Sequence, residues 1–482
     1  MNKRKCVEAI LEVEEKYDLN MEAIDGFHFW TYARYNFFLS LIKIKAGNSS
    51  PHKKNIVGKV IPILKMVAAM CIGSITNGLR KMPEETEVWF LSHTRRVWEE
   101  GRYKCIYTDE IKEYFDKSIS FEGLYDKREH RKPPYTKDLI YSDQIVLGGY
   151  IYAVINGVFL RKKHSELLKK INDKLQDPVK EIEKALLCDI NLKNLVKTTA
   201  YRYYFYKFRF NNYYKLINTY KPKAIIEVVS YAMDCMIINE IARKEHIPTL
   251  ELQHGASGKE HLAYNYPQGR YIEQFPEFFL AHSDYWCMQA SFPIDEKHVI
   301  SAGFPHLEKE ILKYPRKSNE KRRNILFISQ PIVGKRLSEI AIQLNRIIDA
   351  EEYQIIYKLH PSEYKTWKDE YPELQKEDIL IVDESGKNLY EYLSVCDIQV
   401  GVYSTAIYEG MAFGLETFIA DTFGAECMED LVSQDYAVLI KNGKDLYDRI
   451  TKQEKLAEME NRQKFWKDNA LKTTVDIIKS FL

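Results

Sequence analysis

The chain has 482 residues, 45% of them hydrophobic and 29% charged. That is too long for one ordinary core and far from a disordered composition, so two or three domains are expected. Its 70 basic and 69 acidic side chains leave a formal net charge of +1, a balance that argues against a general nucleic-acid binder. Eight cysteines without a CxxC pair read as buried thiols of a reducing compartment, not as a disulfide framework or zinc site.

The chain opens on Met1-Asn2-Lys3-Arg4-Lys5, but glutamates break the stretch behind it. No secretory leader is expected, and the cytoplasm is the expected location. Residues 1–84 read as a helical N-terminal extension, with an aromatic-rich helix over 27–44 and a loop at Gly47-Asn48-Ser49-Ser50-Pro51. Residues 56–75 and 144–160 are apolar but interrupted, the first by Lys59, Pro62 and Lys65, the second by Gly148, Gly149 and Gly157. Neither is a clean span of about 20 apolar residues. The first, between His52-Lys53-Lys54 and Arg80-Lys81, suits a core-packing helix or a helix lying on an anionic membrane surface, with core packing preferred.

From Val88-Trp89-Phe90-Leu91 the texture changes to strand. Residues 161–220 read as helical, and the aromatic run at 201–206 as a helix packed on two sides. After Pro222 strands and helices alternate: strands over 224–229, 249–252, 278–281 and 298–302, with a helix over 233–244. The polar, basic stretch 313–323 is the expected linker. Strands then resume at 324–329, 353–359, 379–382, 398–402, 417–420 and 437–440, and residues 456–482 form a closing helix. This rhythm predicts an α/β protein with two Rossmann-like domains facing a cleft, one over 85–312 with a helical insertion and one over 324–455.

Chemistry-bearing residues stand where the apolar runs end, the edge at which open parallel sheets bind ligands. Ser404 and Thr405 begin a helix, whose unpaired N–H groups and dipole favour an anion, although a plain N-cap has the same sequence. Glu409, one turn on, is placed to accept from ribose hydroxyls. His360, turned out of helical geometry by Pro361, is placed to donate to a phosphate oxygen. Lys358 adds positive charge if it faces the ligand, and Gln330 ends the opening strand of the second half. His254, before Gly255, is the first candidate for a general base, with Glu227 and Asp234 as rivals on the acceptor side. No metal-binding motif, phosphate loop or nucleophile elbow is present, so no metal or other cofactor is predicted.

The ordered set Gln253-His254-Gly255, Gly303-Phe304-Pro305, His360-Pro361 and Ser404-Thr405-Ala406 through Glu409-Gly410 resembles bacterial GT-B fold transferases of surface-polymer synthesis. It is most similar to the CDP-glycerol glycerophosphotransferase, sialyltransferase and polysialyltransferase groups, over roughly residues 220–440. The resemblance implies that His360, Ser404 and Thr405 bind the donor phosphate, that Glu409 meets the ribose and that His254 serves the acceptor. It implies transfer of a sugar or polyol phosphate from a CMP-, CDP- or UDP-activated donor to a glycan or lipid-linked acceptor. The 85–312 domain then takes the acceptor and the 324–455 domain the donor, with peripheral contact at the inner face of the membrane as a further expectation. The alternatives are a non-hydrolysing sugar-nucleotide epimerase and a non-catalytic scaffold of a polymer assembly. Glu416 stands where such enzymes often carry proline, and Ser362-Glu363 follows His360-Pro361 in place of an arginine.

Overall fold

The computed structural model describes residues 3–45, 56–124, 129–317, 322–384, 387–452 and 462–482; the loop expected at 47–51 and the start of the closing segment lie outside these residues. The strands run in chain order as β1 (Val88–Leu91), β2 (Arg96–Glu99), β3 (Arg102–Cys105), β4 (Ser118–Glu122), β5 (Leu139–Tyr141), β6 (Ala224–Glu227), β7 (Thr249–Leu252), β8 (Phe278–Ala281) and β9 (Val299–Ser301). They continue as β10 (Arg323–Ile328), β11 (Tyr353–Lys358), β12 (Leu380–Val382), β13 (Ile398–Gly401), β14 (Glu416–Ala420) and β15 (Val438–Ile440).

Two parallel sheets result, in the orders β5-β4-β1-β6-β7-β8-β9 and β12-β11-β10-β13-β14-β15, while β2 and β3 form a separate antiparallel hairpin. In each sheet the chain moves outward through three strands, returns to the centre and then moves outward the other way. This is the doubly wound, Rossmann-like arrangement, and the reversal falls between β1 and β6 in one sheet and between β10 and β13 in the other. The central strands VWFL, AIIE and TLEL are buried at every position, as strands covered by helices on both faces must be.

The chain divides into two compact units. The first comprises Lys5–His282, Trp286–Pro305 and Asn469–Leu482 and holds the seven-stranded sheet. The second holds the six-stranded sheet within the described part of His306–Asp468, around a core that includes Phe327, Leu337, Ile355 and Val400.

Several expectations change. Residues 3–84 supply the expected N-terminal helices, and side chains of Lys3–Tyr17 and Phe29–Lys45 such as Ile10, Trp30 and Leu41 are buried. Arg34, 1% exposed, donates to both oxygens of Glu14 at 2.7 and 2.9 Å and to the carbonyls of Leu262 and Asn265, with Tyr266 4.0 Å from its guanidinium. Arg34→Ala leaves the Glu14 carboxylate buried without its cation, so chemical denaturation should show the first unit destabilised by about 3 kcal/mol. The closing segment is two helices, Arg462–Phe465 and Ala470–Lys479, and from Asn469 it belongs to the first unit. All eight cysteines are free, but Cys71 is exposed and only Cys6, Cys105, Cys235 and Cys396 are fully buried.

Strands β4 and β5 escape the sequence reading because serines and a glutamate interrupt the apolar pattern of β4, while β5 is only the three residues LIY. Tertiary partners absorb that polarity. Glu122 pairs with Arg96, which also meets Asp109. His130 lies 2.7 Å from Asp143 and stacks on Tyr141. The 201–206 aromatics sit in the long helix Leu192–Tyr220, with Tyr206 donating to Glu240 at 2.9 Å and Tyr203 to Asp25 at 3.0 Å. Among the described residues no single helix is long and apolar enough to cross a membrane.

Candidate functional site

In the first unit the loops that follow β1, β6 and β7 gather His93, Tyr231 and His254 at the carboxyl edge, next to the strand-order reversal. Gln253, 2% exposed, holds the His254 loop in place. Its Nε2 donates to the Gly255 carbonyl at 2.7 Å, and its Oε1 accepts from the His282 N–H at 2.7 Å. The His254 side chain is 16% exposed and has a tyrosine on each ring nitrogen, Tyr264 at 3.2 Å from Nδ1 and Tyr231 at 3.1 Å from Nε2.

The direction of these bonds follows from proton counting. Tyr264 has one hydroxyl proton and gives it to Glu251 Oε1 at 2.7 Å. Its oxygen can therefore only accept from His254, which places the imidazole proton on Nδ1 and leaves Nε2 as the acceptor. Burial, with His93, His261 and His282 nearby, holds the His254 pKa well below its ordinary value. The ring is thus neutral near pH 7, with a basic nitrogen facing a hydroxyl group.

The rival bases are placed differently. Glu227 is fully buried, accepts from Asn239 at 2.9 Å and lies opposite Glu251 across the β6–β7 register. Burial and the neighbouring carboxylate push it up to about 8, and burial pushes Glu251 up to about 7. Such burial keeps Glu227 from meeting a dissolved acceptor. Asp234 is 30% exposed and ion-paired to Arg209 at 3.0 Å, the arrangement of a structural carboxylate.

In the second unit the reversal lies between β10 and β13, so the segments after these strands and after the adjacent β11 line one edge. Gln330 follows β10, and its Oε1 is buried with no hydrogen-bond partner among the described residues. Lys358 ends β11, half-buried and without a carboxylate partner among the described residues. Burial alone lowers its pKa, so its charge is held in partly dry surroundings without a protein anion. Two residues on, His360 Nδ1 lies 2.8 Å from the Ser362 hydroxyl and accepts from the Ser362 N–H at 3.2 Å. That acceptor role puts the neutral ring's proton on Nε2.

Glu363 builds the loop that presents His360. It is 1% exposed, and accepts from the His360 N–H at 2.7 Å, Ser329 at 3.0 Å and Tyr371 at 2.6 Å. Ser404 N-caps the helix Thr405–Ala412, accepting from the Ala406 N–H at 3.2 Å. The plain capping role is therefore real, and Thr405 is the first helical residue. Glu409 is 5% exposed in that helix. The helix lies so close to β13 that a side chain at Gly410 would run into Gln399, whose Nε2 donates to the Ile407 carbonyl at 2.7 Å. Gly410 thereby lets the helix pack hard against the strand that aims its N-terminus.

Sequence reasoning missed Glu251, Tyr264, Tyr231 and Glu363. A signal existed for Glu363, since a glutamate three residues after a loop residue commonly reaches back to that residue's N–H. The Glu251–Tyr264–His254 chain spans a loop with no periodic signature. Among the described residues no three His, Cys, Asp or Glu side chains are arranged to hold a metal ion.

No protein-family model matches the sequence, and no curated protein matches it. Among solved structures the chain is similar to the wall teichoic acid polymerase TagF at 11% identity, covering 89% of this chain and 98% of that one with a TM-score of 0.43. It is similar to S. aureus MnaA with UDP at 10% identity, covering 82% and 96% with a TM-score of 0.45. The UDP-GlcNAc 2-epimerase from Neisseria meningitidis bound to UDP-GlcNAc is similar at 11% identity, covering 58% and 82% with a TM-score of 0.40.

Proposed function

We propose that the protein is a metal-independent GT-B type transferase. In this reading it moves a sugar or polyol phosphate from a CMP-, CDP- or UDP-activated donor to a growing surface glycan. The observation that carries the nucleotide part is Lys358. A half-buried cation without a protein anion among the described residues, two residues from an imidazole, at the edge where the strand order reverses, suits a phosphate. The N-terminus of Thr405–Ala412 adds donors on the same edge.

His254 supports the transfer part. The Tyr231 hydroxyl on Nε2 has the geometry that an acceptor hydroxyl would adopt while losing its proton. In the proposed step the acceptor oxygen attacks the group bound to the donor phosphate, His254 Nε2 takes the acceptor proton, and the nucleotide departs. Lys358 and His360 carry the growing phosphate charge.

Thermal unfolding with excess CMP, UMP, CDP, UDP and GDP tests the reading. A nucleotide at about 100 times its dissociation constant stabilises by about 2.7 kcal/mol. A base-selective shift is expected, and Lys358→Ala and His360→Ala should each remove most of it at unchanged unliganded stability. If none of the five raises the melting temperature, the transferase assignment fails.

A further inference from the structure

Two neighbouring helices of the first unit turn apolar faces outward. On Asp143–Val158, Ile151, Val154, Ile155 and Val158 are 53, 53, 45 and 47% exposed, and the i, i+3, i+4, i+7 spacing puts them on one face. The opposite face is small: Gly149 and Gly157 lie against Arg209 and Tyr201 of Leu192–Tyr220, with buried Ala153 between them. The second helix is Ile56–Asn77. Its Leu64, Ile72 and Ile75 are 61, 57 and 63% exposed, whereas Met70 and Gly73 are buried, Gly73 against Asp143 at the start of the first helix.

Charge is distributed to match. The sequence has no Asp or Glu from 56 to 83 or from 144 to 165. After Val158 the chain bends by 97° into Arg161–Leu186. At that corner Phe159 is 74% and Leu160 44% exposed, and exposed Arg161, Lys162 and Lys163 follow at once. Lys65 is exposed on the other helix.

We propose that this surface docks on an anionic lipid bilayer. The two helices would lie in the interface plane with Leu64, Ile72, Val154, Val158 and Phe159 at the headgroup–acyl boundary. Lys65 and the Arg161–Lys163 collar would stand at the level of the lipid phosphates. Two outward apolar faces form a patch that needs a cover, and the basic residues beside them, on stretches that lack Asp and Glu, select an anionic surface over a neutral one. The residues 56–75 that the sequence reading assigned by preference to a core supply only one side of the surface. The larger share comes from the helix that reading set aside as too short.

Flotation with phosphatidylcholine vesicles, with and without phosphatidylglycerol, tests the proposal on the full chain. The wild type should float with the anionic vesicles and less so as salt is raised. The triple variant Val154→Asn, Val158→Asn, Phe159→Ser should lose binding about tenfold at an unchanged melting temperature. Lys162→Glu with Lys163→Glu should lose the preference for phosphatidylglycerol. Three results would overturn the proposal. One is a wild type that stays unbound; another is a triple variant that floats as well as the wild type. The third is a wild-type dimer in light scattering that the triple variant dissociates, since a second copy would then be the cover.

Discussion

Replacing His254 with alanine is expected to lower turnover about 10²–10⁴-fold, the usual worth of a positioned general base, with little change in the melting temperature. The contrast arises because the ring is partly exposed and its partners are hydroxyls rather than core packing. Its pKa is depressed, so protonation of His254 itself removes the base only below the ordinary imidazole range. A step nearer pH 7 in kcat/KM should belong to Glu251, held up to about 7 by burial and linked to the imidazole through Tyr264. Tyr264→Phe cuts that link and should erase the step while keeping part of the turnover. Wild-type rates in His254→Ala would remove the residue from the mechanism.

Glu227→Gln is expected to make the protein more stable in alkali. In the folded protein Glu227 is pushed up to about 8 by burial and by Glu251 beside it. A group raised above its unfolded value favours the folded state fully below the unfolded pKa, and that contribution is lost as pH rises through the folded pKa. Glu227 should therefore weaken the first unit progressively from about pH 4.5 to about pH 8, by about 5 kcal/mol in all. Glutamine keeps the oxygen that accepts from Asn239 and cannot ionise. Denaturation midpoints taken from pH 5 to pH 9 should fall steeply in the wild type and much less in the variant; parallel curves would refute the buried-carboxyl account. Buried His282 and half-buried His93 act with the opposite sign. His282, held down to about 3, and His93, held down to about 4, favour the fold above pH 6.5 and lose that contribution as the pH falls towards those values.

Glu227 and Glu251 meet on adjacent strands for a reason the sequence carries only in part. Strands β6 and β7 read as AIIE and TLEL, apolar runs that each end or nearly end on a glutamate. Their strand character follows from local composition. That Glu227 and Glu251 face each other, and raise each other's cost of ionisation, depends on the parallel register. Likewise Lys358 and His360 were readable as polar residues closing a buried strand. The lack of a carboxylate beside Lys358, and the Ser362 contacts that fix the His360 tautomer, are facts of three-dimensional arrangement.

By itself the sequence determined the parallel strands other than β4 and β5, the loops that follow them and the candidate histidines at those loops. Apolar runs bounded by turn residues are local signals, and a strand buried on both faces must be apolar along its length. Tertiary structure alone decided the rest. It decided what the N-terminal helices pack against, since the buried Arg34–Glu14 pair draws on carbonyls some 230 residues away. It gave the polar end of β4 a partner from another element, Glu122 pairing with Arg96. It left one face of each of two apolar helices without a cover, since periodicity defines a helical face but only packing determines what lies against it.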